Sequence, residues 1–142
     1  MIVLDTLDTN VLSELMRSVP SAAVVKWIEM QSRMELFTTA ITEAEIFYGI
    51  ELLSPGKRRA RLLLAAEAMF VEDFEGRVLS FDSTAARAFA QIAAQRRAAG
   101  KPISHAGAQV AAIATLHGAA IATRNTSDFE NCGVRIIDPW ME

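Results

Sequence analysis

Three acidic side chains stand at places in the sequence where a fold could bring them together. Asp8 follows a short apolar run, Glu45 lies near the start of a helical pattern, and Asp128 lies in a polar loop. Carboxylates that are buried side by side repel one another, so such a cluster is unfavourable unless a cation neutralises it. Oxygen ligands suit Mg²⁺ or Mn²⁺, which can lower the pKa of a bound water and stabilise charge on a phosphoryl group. The three acids therefore predict metal-assisted hydrolysis of a phosphodiester.

Each of these acids also has a purely structural interpretation. A side-chain oxygen at Asp8 could cap the helix that follows it. Glu45 lies three residues after Thr42, which is the spacing of a capping box. Asp128 is the kind of residue that closes a polar turn. From spacing alone, the structural role of Glu45 is at least as well supported as the metal-binding role, and both interpretations of Asp128 stay open.

The pattern of apolar and polar segments predicts the elements that position these acids. Short apolar runs begin at residue 2 and recur at 36–39, 78–81, 119–123 and 134–137, and about seven segments of helical character separate them. Strands that alternate with helices form a parallel sheet that is covered on both faces. We therefore expect an α/β fold: a three-layer α/β/α sandwich around a short parallel sheet of four to five strands. Ligands of such sheets collect outside the carboxyl ends of the strands, which is where Asp8 falls.

Length and composition limit the class of protein. The chain has 142 residues, 51% of them hydrophobic, and this is enough for one domain with a real core over residues 1–142. A net charge of -3 argues against a broadly basic nucleic-acid binder, although a local basic patch remains compatible with it. The single cysteine, Cys132, indicates a reducing compartment. Neither a secretory leader nor a membrane-spanning run is recognisable, so we expect a cytoplasmic protein.

Four segments resemble the motifs of the PIN-domain ribonucleases, and most closely those of the VapC toxins of bacterial toxin–antitoxin pairs, on the FitB-like branch. The segments read LDTNVLSE at 7–14, TAITEAEIFYG at 39–49, FEGRVLSFD at 74–82 and ATRNTSDF at 122–129. The resemblance covers essentially the whole chain. It implies a PIN-like fold, an Mg²⁺- or Mn²⁺-dependent endoribonuclease, a homodimer, an RNA substrate (tRNA among the candidates) and a VapB-like antitoxin, through which alone DNA is contacted.

The resemblance also assigns roles to individual positions of this chain. On the matching motifs, Asp8, Glu45 and Asp128 fall on the catalytic, metal-binding carboxylates. Five further positions fall on residues that line the site or contact substrate, and these are Thr9, Asn10, Gly107, Arg124 and Asn125.

The third motif of the family departs from its pattern in this chain. It reads PISHAGAQVAAIA at 102–114, and the central metal-binding aspartate of the family falls on Gly107. A glycine near the start of a helix costs up to about 1 kcal/mol relative to alanine, and the sequence offers no packing reason for it. His105 does not replace the missing ligand, because two residues along a helix do not share a face. We therefore expect a weaker metal site, with reduced or lost activity.

Two further departures are milder. Some relatives have aspartate where this chain has Asn125, and asparagine can still ligate a metal or hold a water. The duplicated Leu-Asp-Thr at 4–6 and 7–9 leaves both Asp5 and Asp8 as candidates for the first ligand. We favour Asp8, because Asn10 and the helix follow it directly, and because residues three apart on a strand point to opposite faces.

Two basic clusters accompany the motifs. Lys57, Arg58, Arg59 and Arg61 form the first, and Arg96, Arg97 and Lys101 form the second. Both could bind RNA phosphates, but solvated helix faces are the commoner explanation. Arg124 is the stronger phosphate candidate, because it follows a predicted strand end.

Two functions remain after these observations. The first is a metal-dependent ribonuclease, and the second is a catalytically inactive module of the same fold that binds antitoxin or RNA. A phosphatase of the haloacid-dehalogenase type is disfavoured, since it needs two aspartates two residues apart, and Asp5 and Asp8 are three apart.

Overall fold

The computed structural model of the chain describes residues 4–142, in which five short parallel strands alternate with helices. The strands are β1 (Asp5–Leu7), β2 (Leu36–Thr39), β3 (Val78–Leu79), β4 (Ala120–Ala122) and β5 (Ile136–Ile137). The helices are α1 (Thr9–Leu15), α2 (Ala22–Met30), α3 (Ala40–Glu51), α4 (Lys57–Ala68), α5 (Ser83–Ala98) and α6 (His105–Leu116). The α/β class and the short parallel sheet predicted from the sequence are confirmed.

The order of the strands creates a crevice beside β1. The order is β3-β2-β1-β4-β5, and every neighbouring pair is parallel. The chain winds outward from β1 in one direction through β2 and β3, and in the other through β4 and β5. Open sheets of this kind bind ligands where the winding reverses, at the carboxyl ends of the strands. That point lies between β1 and β4, where Leu7 pairs with Ala122 and the Asp8 amide donates to the Ala122 carbonyl at 3.0 Å.

Side chains alternate between the two faces of the sheet and form two cores. On β4, Ala120 and Ala122 pack with α1 to α4, whereas Ile121 packs with α5 and α6 on the opposite face. Ile136 and Ile137 of β5 divide in the same way. This is the period-2 alternation of a strand that is covered on both sides. The predicted three-layer sandwich is therefore confirmed.

Helix boundaries agree with several sequence signals and differ from others. Ser104 caps α6 and Asp82 caps α5 through side-chain oxygens, and serine and aspartate are among the residues preferred at this position. The α4 helix is regular only to Ala68, and Met69–Asp73 continues it as a wider π-helical turn. The first strand was expected from residue 2, but residues 2 and 3 lie outside the described part of the chain.

The described helices are short compared with the thickness of a bilayer. The longest, α5, has 16 residues, whereas a membrane-spanning helix needs about 20 apolar residues. Within residues 4–142, no helix combines the length and the apolar character that crossing a membrane requires.

Candidate active site

A cavity of about 710 Å³ opens at the carboxyl ends of β1 and β4. It lies at the reversal point of the strand order, where an open sheet leaves room between its diverging loops. All eight residues that the sequence singled out line this cavity: Asp8, Thr9, Asn10, Glu45, Gly107, Arg124, Asn125 and Asp128. Residues that are up to 120 positions apart in the chain are thereby brought to one surface, as parallel strand ends require.

Asp8 is a buried acid of the cavity, with 8% of its surface exposed. It follows β1 and is the N-cap of α1, and its Oδ1 accepts a hydrogen bond from the Thr9 amide at 2.9 Å. Its Oδ2 accepts from the Thr123 hydroxyl, also at 2.9 Å. The capping interpretation of Asp8 is therefore confirmed, and the same carboxylate also lines the cavity. Asp5 does not line it, because it lies at the opposite end of β1.

Thr123 is a functional candidate that the sequence did not reveal. Its side chain is fully buried directly after β4, where it donates to Asp8 and accepts from Asn10 Nδ2 and the Asn125 amide, each at 3.1 Å. One hydroxyl thus uses its donor and both acceptors, and it joins the loops that follow β1 and β4. The only sequence signal was a hydroxyl residue at the end of an apolar strand that runs beside the aspartate-tipped one.

The electrostatics of the cavity act against ionisation of Asp8. Burial is the main factor that raises the pKa of its carboxyl above the ordinary value of 3.8, and the charges of Glu45 and Asp128 raise it further. Hydrogen bonds from Thr9 and Thr123 lower it only in part. Asp8 therefore senses both other acids, which is the like-charge repulsion expected from the sequence.

Glu45 lies on α3 and is exposed to solvent. Its Oε1 accepts from the Thr9 hydroxyl at 2.7 Å, so the start of α1 holds the Glu45 carboxylate beside Asp8. The capping-box interpretation is wrong, because α3 begins earlier than the spacing suggested. Its N-cap is Thr39, which accepts from the Thr42 amide at 3.1 Å, and Thr42 is a buried helical residue. Glu45 is thereby free of the helix terminus and faces the cavity.

Asp128 is carried by a single 3₁₀ turn, Thr126–Phe129. The turn is closed by the Asp128 amide, which donates to the Asn125 carbonyl at 3.1 Å, and it is anchored by the buried ring of Phe129. The side chain of Asp128 is exposed. Asp128 is therefore both a turn residue and a wall of the cavity, so its two interpretations are compatible.

Gly107 has a packing environment that the sequence did not reveal. A Cβ at this position would lie 3.0 Å from Ser104 Oγ and 3.1 Å from Ile103 Cγ1, which is closer than ordinary contacts. The Ser104 hydroxyl occupies this place because it accepts the Gly107 amide as the α6 cap. The expectation that the glycine lacks a packing reason is thus wrong, since Ile103 and Ser104 fill the space. His105 does not line the cavity and packs edge-on against Phe89 instead.

Basic side chains border the acids. Arg124 is exposed, its amide donates to Asn10 Oδ1 at 3.0 Å, and its guanidinium lies 4.9 Å from the centre of the Trp140 ring. Arg58 also lines the cavity. Arg96, by contrast, is buried, so neither a solvated face nor a phosphate site describes it. The edge of the cavity therefore offers Arg124 and Arg58 to an anionic ligand.

The carboxylates do not form a compact cluster. Among the described residues, no three His, Cys, Asp or Glu side chains are grouped closely enough to hold a metal ion by themselves. Glu14 also lines the cavity, but its carboxylate accepts from the Ser21 amide at 2.8 Å and pairs with Arg17 at 3.3 Å. The Ser21 amide is the main factor that lowers the pKa of Glu14. Glu14 is thus occupied by the α1–α2 turn.

Comparisons with known proteins agree with this geometry. The PIN domain family model matches residues 6–133. A VapC ribonuclease of Sinorhizobium fredii, Y4jK, is 43% identical over 134 residues, which cover 94% of this chain and 96% of that protein. The toxin FitB of Neisseria gonorrhoeae is 37% identical over the same shares of both chains. A solved structure described as FitAB bound to an IR36 DNA fragment superposes with a TM-score of 0.90 at 36% identity, covering 96% of each chain.

Replacing Thr123 by valine should disturb the cavity while it preserves the shape of the side chain. The change removes the donor to Asp8 and leaves Asn10 and Asn125 without their acceptor, so we expect a loss of about 1–3 kcal/mol in unfolding free energy. Thr38→Val is the matched control, because Thr38 is equally buried on the next strand and donates to the Leu7 carbonyl. Calorimetric titration with Mn²⁺ should show weaker binding for Thr123→Val alone. Equal Mn²⁺ affinity in the two variants would contradict a role for Thr123 at the site.

The raised pKa of Asp8 predicts a definite pH dependence. In chelator, the folded protein keeps the Asp8 proton at pH values where the unfolded chain has already lost it. Wild type should therefore lose stability relative to Asp8→Asn as the pH rises from about 3.8 through the raised pKa. Urea unfolding of both proteins across this range measures the difference. Asp5→Asn is the control, because burial also raises the pKa of Asp5. Mn²⁺ should reduce the loss of unfolding free energy that ionised Asp8 causes and leave the loss caused by Asp5 unchanged. If wild type instead gains stability relative to Asp8→Asn as the pH rises, this electrostatic account is wrong.

Proposed function

This chain belongs to the PIN-domain family, on the branch of the VapC and FitB toxins, and we propose that it is the ribonuclease toxin of a VapBC-type pair. Its reaction is the hydrolysis of RNA phosphodiester bonds, assisted by Mg²⁺ or Mn²⁺, with tRNA among the candidate substrates. The observation that carries the proposal is the cavity at the sheet reversal point, which Asp8, Glu45 and Asp128 line together. The names of the relatives, which include a VapC ribonuclease, support the same chemistry.

The donor set of the cavity suits a hard divalent ion. Asp8, Glu45 and Asp128 offer carboxylate oxygens, and the two latter side chains are open to solvent. Mg²⁺ usually keeps several waters and takes one or two carboxylates, so a loose set of acids fits such an ion. When bound, the ion supplies a water of lowered pKa and stabilises charge on the phosphoryl group. Asp8, Glu45 and Asp128 are the residues that would hold it.

The side chains around the acids have their own tasks in this proposal. Thr9 and Thr123 orient Asp8 and Glu45 through hydrogen bonds of 2.7–2.9 Å. Arg124, at the edge of the cavity, pairs with an RNA phosphate, which a guanidinium recognises in bidentate fashion. Glu45 and Asp128 are both exposed, so a water can reach either carboxylate. Either one can therefore accept the proton of the attacking water. Binding and proton transfer are thus divided between the basic edge and the acids.

Gly107 determines how strong this activity is. It lines the cavity on α6, at the position where the family motif carries a carboxylate. Without that ligand, the ion is held more weakly and the attacking water is oriented by fewer groups. The second candidate function, an inactive module that binds antitoxin or RNA, is favoured by the same glycine. It is also favoured by the lack of a compact three-ligand cluster among the described residues.

Restoring a carboxylate at position 107 should strengthen the site. We expect Gly107→Asp to bind Mn²⁺ about tenfold more tightly, equivalent to ~1.4 kcal/mol, and to cleave RNA at least tenfold faster. Gly107→Asn is the matched control, because its side chain meets Ile103 and Ser104 in the same way and carries no charge. Mn²⁺ titration and cleavage of a labelled RNA measure both effects. Faster cleavage in Gly107→Asp alone supports an impaired nuclease; no gain over wild type contradicts it.

A groove of about 580 Å³ extends from the cavity between α1, α3 and α4. It shares Thr9, Ser13, Arg17, Glu45 and Arg58 with the cavity, and its floor is apolar. The apolar lining residues are Met16, Val19, Ile46, Ile50, Leu53 and Leu62. We propose that a small VapB-like antitoxin binds here, with an apolar segment in the groove, and that DNA is contacted only through that partner. The similar solved structure of FitAB bound to an IR36 DNA fragment supports a partner that contacts DNA.

Filling the groove should block the antitoxin and leave the fold intact. Gly49 of α3 lines the groove, and beyond its chain neighbours and the adjacent backbone of its own helix, no atom lies within 4 Å of a Cβ at this position. We expect Gly49→Trp to lose binding to a VapB-like antitoxin by at least tenfold, while its Tm stays within a few degrees of wild type. Ala44→Trp is the control, because it adds the same ring to an exposed α3 position outside the groove. Undiminished antitoxin binding by Gly49→Trp would place the partner elsewhere.

The homodimer implied by the family resemblance stays a prediction, which light scattering can test.

A further inference from the structure

Arg96 of α5 is a buried cation that bonds two loops at once. Only 6% of its surface is exposed. Its Nε donates to the Lys101 carbonyl at 2.7 Å, in the loop before α6. Its Nη1 donates to the carbonyls of Asp128 and Glu130 at 2.9 and 2.6 Å, in the loop after β4, and contacts Cys132 Sγ at 3.5 Å. The guanidinium therefore links the segments on both sides of it.

Both of these loops are walls of the candidate active site. The first leads into Ser104, Ala106 and Gly107, and the second carries Asp128, and all four residues line the cavity. Neither loop is part of the sheet, so strand pairing does not determine how far apart they lie. Arg96 is the group that bonds to both.

The partners of Arg96 are main-chain atoms and a thiol. Within residues 4–142, no carboxylate forms an ion pair with it. A buried charge is retained only where its hydrogen bonds are satisfied, so the loop carbonyls have to remain in place around the guanidinium. A guanidinium is planar and has a rigid fork of donors, which transmits this geometry from one loop to the other.

We infer that Arg96 is a positioning residue that sets the place of Asp128 opposite Asp8 and α6. This inference rests on the proposed function, because it takes Asp128 as a residue of the metal site. Groups behind a metal ligand commonly change metal affinity 10- to 100-fold when they are replaced. Arg96 contacts the main-chain carbonyl of Asp128 and not its side chain. Arg96 therefore acts on the position of the Asp128 carboxylate and leaves the hydrogen bonds of that carboxylate unchanged.

Arg77 provides a control with closely matched chemistry. It is 7% exposed, and its guanidinium donates to three main-chain carbonyls, those of Arg33, Leu36 and Asp73. None of these residues lines the cavity or the groove. Substituting either arginine therefore leaves main-chain carbonyls without their donors, but only one of the two substitutions affects the candidate site.

The test compares Arg96→Gln with Arg77→Gln in the full chain. Mn²⁺ affinity, measured by calorimetry below the unfolding range of both variants, should fall at least tenfold in Arg96→Gln and less than twofold in Arg77→Gln. Hydrogen exchange should become faster at the amides of 126–132 in Arg96→Gln alone. Arg96→Lys serves if Arg96→Gln does not fold: its single ammonium cannot reach both loops, so it should show the same two effects in milder form.

The outcomes separate this inference from the proposed function. Equal losses of Mn²⁺ affinity in both glutamine variants, or unchanged exchange at 126–132 in the Arg96 variants, overturn the role of Arg96. If wild type and Gly107→Asp both bind no Mn²⁺ and cleave no RNA, the proposed function fails. The exchange comparison then decides by itself whether Arg96 holds the Asp128 loop.

Discussion

The structure depends on holding the Asp8 carboxylate at the end of the central strand, where burial disfavours its charge. Burial and the neighbouring acids both raise its pKa, and two hydrogen bonds, from the Thr9 amide and the Thr123 hydroxyl, offset only part of this cost. The strand order makes this position unavoidable, because β1 lies between the two halves of the sheet and its carboxyl end opens into the crevice. Such a local cost is typical of positions that are retained for function.

Much of the fold could be predicted, because its signals are local. Alternating strand and helix patterns, together with cap residues such as Asp82 and Ser104, report contacts within a few residues of themselves. The prediction failed where two residues could serve as the cap of one helix, as in the capping box proposed for Thr42 and Glu45. Thr39 and Thr42 both precede Glu45 and can both cap a helix, and only the end of β2 determines that the helix begins after Thr39. Widening of the helix after Ala68 to a π-helical turn likewise had no local signal in the sequence.

The site was predictable as a set of residues, but its internal bonds were not. Family motifs and strand ends identified Asp8, Glu45 and Asp128 as acids of the cavity, since parallel strands deliver their carboxyl ends to one edge, but they did not identify Glu14. Thr123 and Arg96 were not identified, because their roles rest on partners that are about 30 to 115 residues away in the sequence. Arg96 was grouped with exposed basic residues, although a cation can be buried when carbonyls surround it. Composition and spacing cannot distinguish these two environments.

Gly107 is best understood through the same repulsion that acts on Asp8. Each additional carboxylate at the cavity raises the free energy of the metal-free fold, because like charges oppose one another. A glycine at this position removes one such charge, and the space is filled by Ile103 and the Ser104 cap. On the proposed function, Gly107 therefore favours the stability of the metal-free protein over its affinity for the ion, which is the usual trade between stability and a strained site. The groove between α1, α3 and α4 is not affected by this exchange, because Gly107 does not line it. Binding of a partner in the groove is therefore compatible with either candidate function, whether or not the cavity is catalytic.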